Sequence, residues 1–248
     1  MPRFLVDQAS IQNGFAALDP KESRHALSVL RLAPGEAVEL LDGKGKKFSG
    51  FVSEIKSGRV FVKILNDSGK ILETGVPICL AVSVLKPAAM DLLIQKAAEL
   101  GAASIQPLLC ERSVVKLSKE RWAAKLARWQ KIAAESCKQC GQTLVPAVHP
   151  ARPFGDFTRN LGGEALVLFP TLAVKTQSLK SVLQNHPAKR VILFIGPEGD
   201  FTPGETKLAL AKGAKAVSLG PLILRSETAA MFVLSALNFF YSPLKTGE

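Results

Sequence analysis

The sequence predicts an α/β protein in two parts, a small β-barrel over residues 1–72 and a mainly parallel sheet covered by helices over residues 73–248. Three observations carry this reading. Up to about Leu72, short alternating runs are separated by Gly turns, the pattern of a small antiparallel barrel. From about Ile78, apolar runs and helical patterns take turns, which argues for a parallel sheet with helices on both faces. Finally, the stretch Val191–Glu227 holds two strand-to-loop junctions rich in Gly and Pro, one helix apart. Both loops then emerge at one edge of the sheet, where ligands collect in open α/β folds.

The barrel elements follow in order. Arg3–Val6 is a first apolar run and Ser23–Leu30 a helical turn or two. Ala37–Leu41 alternates, Asp42-Gly-Lys-Gly45 turns, Lys47–Ile55 alternates again, Ser57-Gly58 turns, and Arg59–Leu65 runs in period two. Lys44, Lys46, Lys47, Lys56, Arg59 and Lys63, with Arg3, Arg24, His25 and Arg31 upstream, make this part basic. It reads equally as an RNA-binding module and as a solvated charged surface. Asp67, Ser68, Gly69 and Lys70 are turn formers, so Asn66–Pro77 is expected to be a linker.

In the second part, Ile78–Val84 is an unbroken apolar run, the mark of a strand covered on both faces. Ala88–Leu100 is a helix with Leu92, Leu93, Ala97 and Leu100 on one side, ended by Gly101. Ser104–Leu109 is a strand. Lys119–Gln139 is a long amphipathic helix with Trp122, Leu126, Trp129, Ile132 and Ala133 along one face. Leu144–Val148 and Ala165–Phe169 are strand candidates, and Ser178–Leu183 a short helix. The strands Val191–Ile195 and Ala216–Leu219 lead into the two loops.

Composition limits the function classes. Lys and Arg number 32 against 21 Asp and Glu, a formal net charge of +11, which favours polyanionic partners such as nucleic acid. Cys79, Cys110, Cys137 and Cys140 give one close pair with no second pair and no His at zinc spacing, so reduced thiols in a cytosolic protein are expected, and no metal. No apolar run reaches the ~18 residues of a membrane span, and MPRFLVDQAS lacks an apolar leader core, so neither export nor membrane insertion is expected.

The two loops differ in kind. After Gly196-Pro197-Glu198-Gly199, Thr202, Pro203 and Glu205 have the spacing of a helix cap, a first-turn proline and a capping box. Neither G-x-G-x-x-G nor G-x-x-x-x-G-K-[ST] occurs, so dinucleotide and P-loop readings lack support. The second loop carries Leu222, Ile223 and Leu224 between Pro221 and Arg225, ahead of Ser226 as a cap and an apolar helix Ala229–Tyr241. Those apolar residues either line a flat ligand such as an adenine ring or pack a buried crossover.

IGPEGDF at Ile195–Phe201 and LGPLILRSETAA at Leu219–Ala230 resemble the signature loops of the SPOUT class of methyltransferases. The match is to its RsmE family, which methylates N3 of uridine in 16S ribosomal RNA. RHALSVLRLAPGE at Arg24–Glu36 and the Asp42–Gly45 turn resemble that family's PUA-like domain; LIQKAAELGA at Leu93–Ala102, ERSVVK at Glu111–Lys116 and the segment Gln139–Pro146 resemble its catalytic domain. The chain departs from the family pattern at three positions: Asp200 for a usual glycine, and Leu222 and Gln142 for usual arginines.

The resemblance implies a C-terminal trefoil knot, S-adenosyl-L-methionine bound within it, a cytoplasmic homodimer, and 16S ribosomal RNA or the small subunit as partner. Cofactor contacts are implied in three loops: at Leu168 and Phe169, at Ile195, Gly196, Pro197, Glu198 and Gly199, and at Ser218, Leu219, Gly220 and Leu224. Arg225 is the implied catalytic group at the uracil oxygens or a phosphate, with Glu198 and Glu227 as candidate bases or orienters. The alternative for Glu227 and Arg225 is a helix-terminus pair. Arg3, Arg24 and Arg31 are the expected RNA contacts. A related enzyme acting on another RNA site, or an RNA-binding homologue with weakened turnover, are the alternative functions.

Overall fold

The computed structural model of the chain describes residues 1–70, 75–113 and 119–241. The second half of the ERSVVK motif, Val114–Lys116, and the middle of the expected linker, Ile71–Thr74, lie outside the described residues. The chain forms two compact units, and the first takes in Ala134–Val145 besides the N-terminal residues. A cut at residue 72 would leave that segment with the second unit.

The first unit contains β1 (Arg3–Leu5), β2 (Ile11–Gln12), β3 (Phe15–Ala17), α1 (Pro20–Arg24), β4 (Ala37–Leu41), β5 (Lys46–Lys56) and β6 (Arg59–Lys70). Its six-stranded sheet has the order β1-β4-β5-β6-β3-β2. The β1–β4 pairing is parallel and the others are antiparallel. One face of every long strand is apolar, and Phe4, Ala16, Val38, Leu40, Phe48, Val52, Val60 and Val62 meet in a single core. Register shifts along β5 and β6 bend the pair, as bulges do. The expected linker begins later than its turn formers suggest: Asp67 pairs with Phe48 and Lys70 with Lys46, so Asn66–Lys70 extend β6. Ladder hydrogen bonds there outweigh the local turn preference of Asp, Ser and Gly. The helical turn expected at Ser23–Leu30 is α1 followed by one π-helical turn, His25–Val29.

The segment Ala134–Val145 is held to this unit by charge and backbone. Lys138 Nζ reaches Glu22 Oε1 and Glu135 Oε2, each at 2.7 Å. Burial works to lower the Lys138 pKa, but its bonds to Glu135 and Glu22 outweigh that and raise it. Arg3 lies between Glu39, at 2.7 Å from its Nε, and the Gln139 carbonyl, which accepts from Nη1 at 2.9 Å. Val145 N donates to Gly43 O, and Gly45 N to Thr143 O.

The second unit contains β7 (Ile78–Ser83), α2 (Pro87–Glu99), β8 (Ser104–Leu109), α3 (Lys119–Cys140, whose last turns belong to the first unit), β9 (Ala147–Val148) and β10 (Arg152–Pro153). It continues with α4 (Phe154–Arg159), β11 (Leu166–Pro170), β12 (Gln177–Ser178), α5 (Leu179–Asn185), β13 (Val191–Ile195), α6 (Pro203–Ala211), β14 (Lys215–Ser218) and α7 (Ser226–Tyr241). Every pairing in its sheet is parallel, in the order β10-β8-β7-β13-β11-β14-β12 with β9 beside β8. β7 and β13 are buried at every residue, as their unbroken apolar runs require of central strands. On α2, Met90, Leu93, Ile94, Ala97 and Ala98 face the core, and Leu92, expected there, is half a turn away and exposed. The strand expected at Leu144–Val148 shrinks to β9, because Leu144 instead bridges Lys44 in the first unit.

An aromatic cluster sits under the C-terminal ends of β11 and β13. Phe194 meets Phe154 and Phe169 at 5.6 Å between centroids and Phe157 at 5.9 Å, while Phe169 stacks on Phe201 at 4.4 Å. Such pairs add about 0.5–1.5 kcal/mol each beyond the area they bury.

Two predictions follow from this packing. Phe194→Ala should lower the unfolding free energy by about 3–5 kcal/mol in a denaturant titration, the cost of a large aromatic cavity. A result near 1 kcal/mol would show a cluster able to collapse. Glu39 is the second case. Burial tends to raise its pKa, yet hydrogen bonds from Lys47 and Arg3 hold it lowered. Its contribution is therefore present above the ordinary carboxylate range and lost as pH falls through the depressed pKa. Glu39→Gln should be the less stable chain at neutral pH, with the gap closing below about pH 4, measured by thermal melts across pH.

Candidate active site

Three neighbouring strands, β13, β11 and β14, end at one sheet edge, and their loops build a single cleft. The sequence places two Gly-Pro loops at one edge; the structure inserts β11 between them, so its loop becomes a third wall. The empty space, counting the open mouth, is about 670 Å³, a size that suits a small ligand. Pro170–Leu172 form one wall, Ile195–Glu198 with Asp200 the second, and Val217–Gly220 with Leu222–Leu224 the third, closed by Ser226 and Ala229 of α7.

Of the expected cofactor residues, Ile195, Gly196, Pro197, Glu198, Ser218, Leu219, Gly220 and Leu224 line the cleft. Leu168 and Phe169 do not: both are fully buried, and Phe169 is spent on Phe194 and Phe201. The wall starts one residue later, at Pro170. Gly199 is also outside the lining, and its carbonyl accepts from Arg112 Nη1 at 2.6 Å. Leu222 and Ile223 are 73% and 81% exposed while still lining the cleft, so this apolar loop is a rim and not a buried crossover.

Side chains tie the loops together. Asp200 has a left-handed φ of 57° and bonds across to the β11 loop. Its Oδ2 accepts from Thr171 Oγ1 and Leu172 N, each at 3.0 Å, and its Oδ1 from Phe201 N at 2.8 Å. The usual glycine at this position matches that φ; the aspartate adds a bridge. Ser226, expected to cap the last helix, is its first residue and donates from Oγ to Gly196 O at 2.7 Å, joining α7 to the β13 loop. Gly196 is tightly fitted: a Cβ would lie 3.1 Å from the Phe201 ring, which would have to shift by a few tenths of an ångström. The expected capping box is formed, with Glu205 Oε2 accepting from Thr202 N at 2.9 Å and Thr202 Oγ1 accepting from Glu205 N at 3.3 Å. Glu205 is buried, and its Oε1 also accepts from Glu111 N. Neither Thr171, Arg112 nor Glu111 was legible as a site support, since each acts through a partner far along the chain.

The candidate reactive groups stand apart from these supports. Glu198 lines the cleft and is exposed, and Glu227 lies half-buried in the first turn of α7. Arg225 is exposed between Leu224 of the rim and Ser226. Glu227 takes the helix N-terminal position that the alternative reading gives it, while among the described residues no ion pair joins it to Arg225. No cysteine is a nucleophile here: none lies in the cleft, and burial pushes the Cys110 thiol up to about 12. No group of metal-ligating side chains occurs among the described residues. No described helix is long and apolar enough to cross a membrane.

Of the expected RNA contacts, Arg24 and Arg31 are exposed, Arg31 at a positive φ of 55°. Arg3 is not available: Glu39 and the Gln139 carbonyl hold it, and Gly141 packs on its guanidinium.

Comparison with known proteins gives the cleft its context. The family described as RNA methyltransferase domain matches residues 72–238, and that of the RNA methyltransferase PUA domain matches residues 18–65. The ribosomal RNA small subunit methyltransferase E of Synechocystis is 33% identical over 95% of this chain and 77% of its own length. The chain belongs to this methyltransferase family. A Buchnera aphidicola member is 26% identical over 99% of this chain and 96% of its own. The crystal structure of the Neisseria gonorrhoeae member, bound to S-adenosyl methionine, is 32% identical and covers 99% of this chain and 100% of its own, with a TM-score of 0.88.

The loop ties are testable. Ser226→Ala should cost about 1 kcal/mol of stability in urea unfolding, the usual net value of one hydrogen bond. A loss below about 0.3 kcal/mol would show that water replaces the hydroxyl at Gly196.

Proposed function

We propose that this protein transfers a methyl group from S-adenosyl-L-methionine to N3 of a uridine in 16S ribosomal RNA, acting on the RNA or on the small subunit in the cytoplasm. The observation that carries the reading is the cleft itself: three loops of this family's catalytic unit, apolar at Leu219, Leu222 and Leu224, open-backboned at Gly196 and Gly220, and acidic at Glu198 and Asp200. Backbone groups of the loops suit the edge of an adenine ring, apolar side chains suit its faces, and carboxylates suit a cation. The cofactor, when bound, supplies an electrophilic methyl on a positively charged sulfur.

What the chain must add is alignment and management of one proton. Methyl transfer needs little covalent help, so holding the loops still accounts for most of the work. The ties from Asp200 to Thr171 and from Ser226 to Gly196 do that. The N3 proton of uridine must leave as the new N–C bond forms. Glu198, on the wall, and Glu227, in the first turn of α7, are the groups that can take it or orient the base. Arg225, unpaired and beside the rim, places a cation where a uracil oxygen gains negative charge or a phosphate passes. Arg24 and Arg31 are the phosphate contacts of the first unit.

The same reading includes a homodimer and a trefoil knot. Phe232, Phe239 and Phe240 are exposed on α7, an apolar face that a second copy would cover. Strand order supports a threaded chain, since β13 and β14 flank the earlier β11 and α7 returns to bond Gly196.

Mapping modified uridines in ribosomal RNA by mass spectrometry, from cells with and without this gene, tests the activity. N3-methyluridine should disappear from the small-subunit RNA when the gene is removed; an unchanged level defeats the proposal. For Arg225→Ala, kcat/KM for RNA should fall about 100-fold or more while the cofactor Kd stays within about twofold. Methylation at the normal rate would remove Arg225 from the mechanism.

A further inference from the structure

We infer that Asp200 is a specificity residue: its carboxylate, fixed in the cleft wall, favours the cationic cofactor S-adenosyl-L-methionine over the neutral product S-adenosyl-L-homocysteine. The inference rests on the cofactor assignment proposed above. It goes further by giving one side chain a role in telling substrate from product.

The first observation is the charge of the lining. The whole chain carries a formal +11, yet the described residues around the cleft include two acids, Glu198 and Asp200, and no Lys, Arg or His. Neither acid forms an ion pair among the described residues. Arg112 donates to the Gly199 carbonyl of the same loop and is not part of the lining. A cation of suitable size therefore meets two acids and no basic side chain among the lining residues.

The second observation is that the Asp200 charge cannot turn away. Donors from Thr171, Leu172 and Phe201 hold its oxygens from both flanking loops. The backbone keeps a left-handed φ of 57°, which glycine adopts freely and aspartate more readily than most side chains. A side chain retained there, half-buried and bonded at both oxygens, is a fixed charge in the cleft lining. Glu198 is exposed, and no hydrogen bond of this kind holds its carboxylate among the described residues.

The reaction changes the charge that this wall faces. The S–CH3 bond breaks with its electron pair left on sulfur, the N3–CH3 bond forms, and the N3 proton passes to base or water. The sulfonium thereby becomes a neutral thioether while the amino-acid end keeps its zwitterion. A fixed negative charge stabilises the reactant more than the product. At the few-ångström separations of a half-solvated cleft, Coulomb attraction of this kind is worth about three- to tenfold in affinity. The effect helps the product leave.

A loop tie alone would act on both ligands equally, and calorimetry separates the two roles. Kd for S-adenosyl-L-methionine and for S-adenosyl-L-homocysteine is measured on the natural chain, on Asp200→Asn and on Asp200→Gly. Asn keeps the size and loses the charge, but its amide Nδ2 replaces one accepting oxygen, so part of the tie goes with it. Beyond any loss common to both ligands, it should shift the ratio of the two Kd values about three- to tenfold against S-adenosyl-L-methionine. Gly fits the backbone but cuts the tie, and should weaken both. Independently of any variant, added salt should weaken the natural chain's grip on the cationic ligand more than on the neutral one. An Asn variant that shifts both ligands alike, or a salt response equal for both, overturns the inference. A natural chain that binds neither ligand overturns the functional proposal together with it.

Discussion

Phe194 is touched by Phe154, Phe157, Phe169 and Phe201, and the β11 and β13 walls of the cleft start from that contact. Phe169 is the penultimate residue of β11, Phe194 of β13, and Phe201 lies just before α6. Stacking these rings sets how far each strand runs before its loop leaves the sheet. The bonds of Asp200 and Ser226 then act on loops whose starting points are already fixed. Polar ties between loops are weak one by one, and they hold geometry here because an apolar layer beneath excludes the alternatives.

The division of labour within the cleft follows from burial. Residues that shape it are tied down or hidden: Thr171, Glu205 and Ser226 are buried, and Asp200 is bonded at both oxygens. Residues suited to chemistry or substrate contact are exposed: Glu198, Arg225, Leu222 and Ile223. A methyl-transfer site can be built this way because the reaction asks for alignment rather than for a covalent partner from the protein.

Legibility in the sequence tracked the range of the forces involved. The parallel sheet, the capping box at Thr202 and Glu205, and the Gly-Pro loops are written in contiguous residues, and they could be read. Arg3 could not: its partners Glu39 and Gln139 lie 36 and 136 positions away, so a half-buried, bonded cation looked like a free one. The resemblance implies Leu168 and Phe169 as cofactor contacts, but both side chains are fully buried and Phe169 stacks on Phe201. Local turn chemistry at Asp67–Gly69 lost to a ladder formed with residues near Phe48. In each case a distant partner decided the outcome.

The segment Ala134–Val145 gives the first unit a history in time as well as a shape. That unit is encoded at the start of the chain but includes residues from past its midpoint. During synthesis the barrel strands emerge first, with Glu22 lacking Lys138, Arg3 lacking the Gln139 carbonyl, and Gly43 and Gly45 lacking Val145 and Thr143. Those groups stay hydrated until the first strands and helices of the second unit have also left the exit tunnel. The barrel that begins the protein is thus finished only after the catalytic unit is under way, and the two mature as one product of translation.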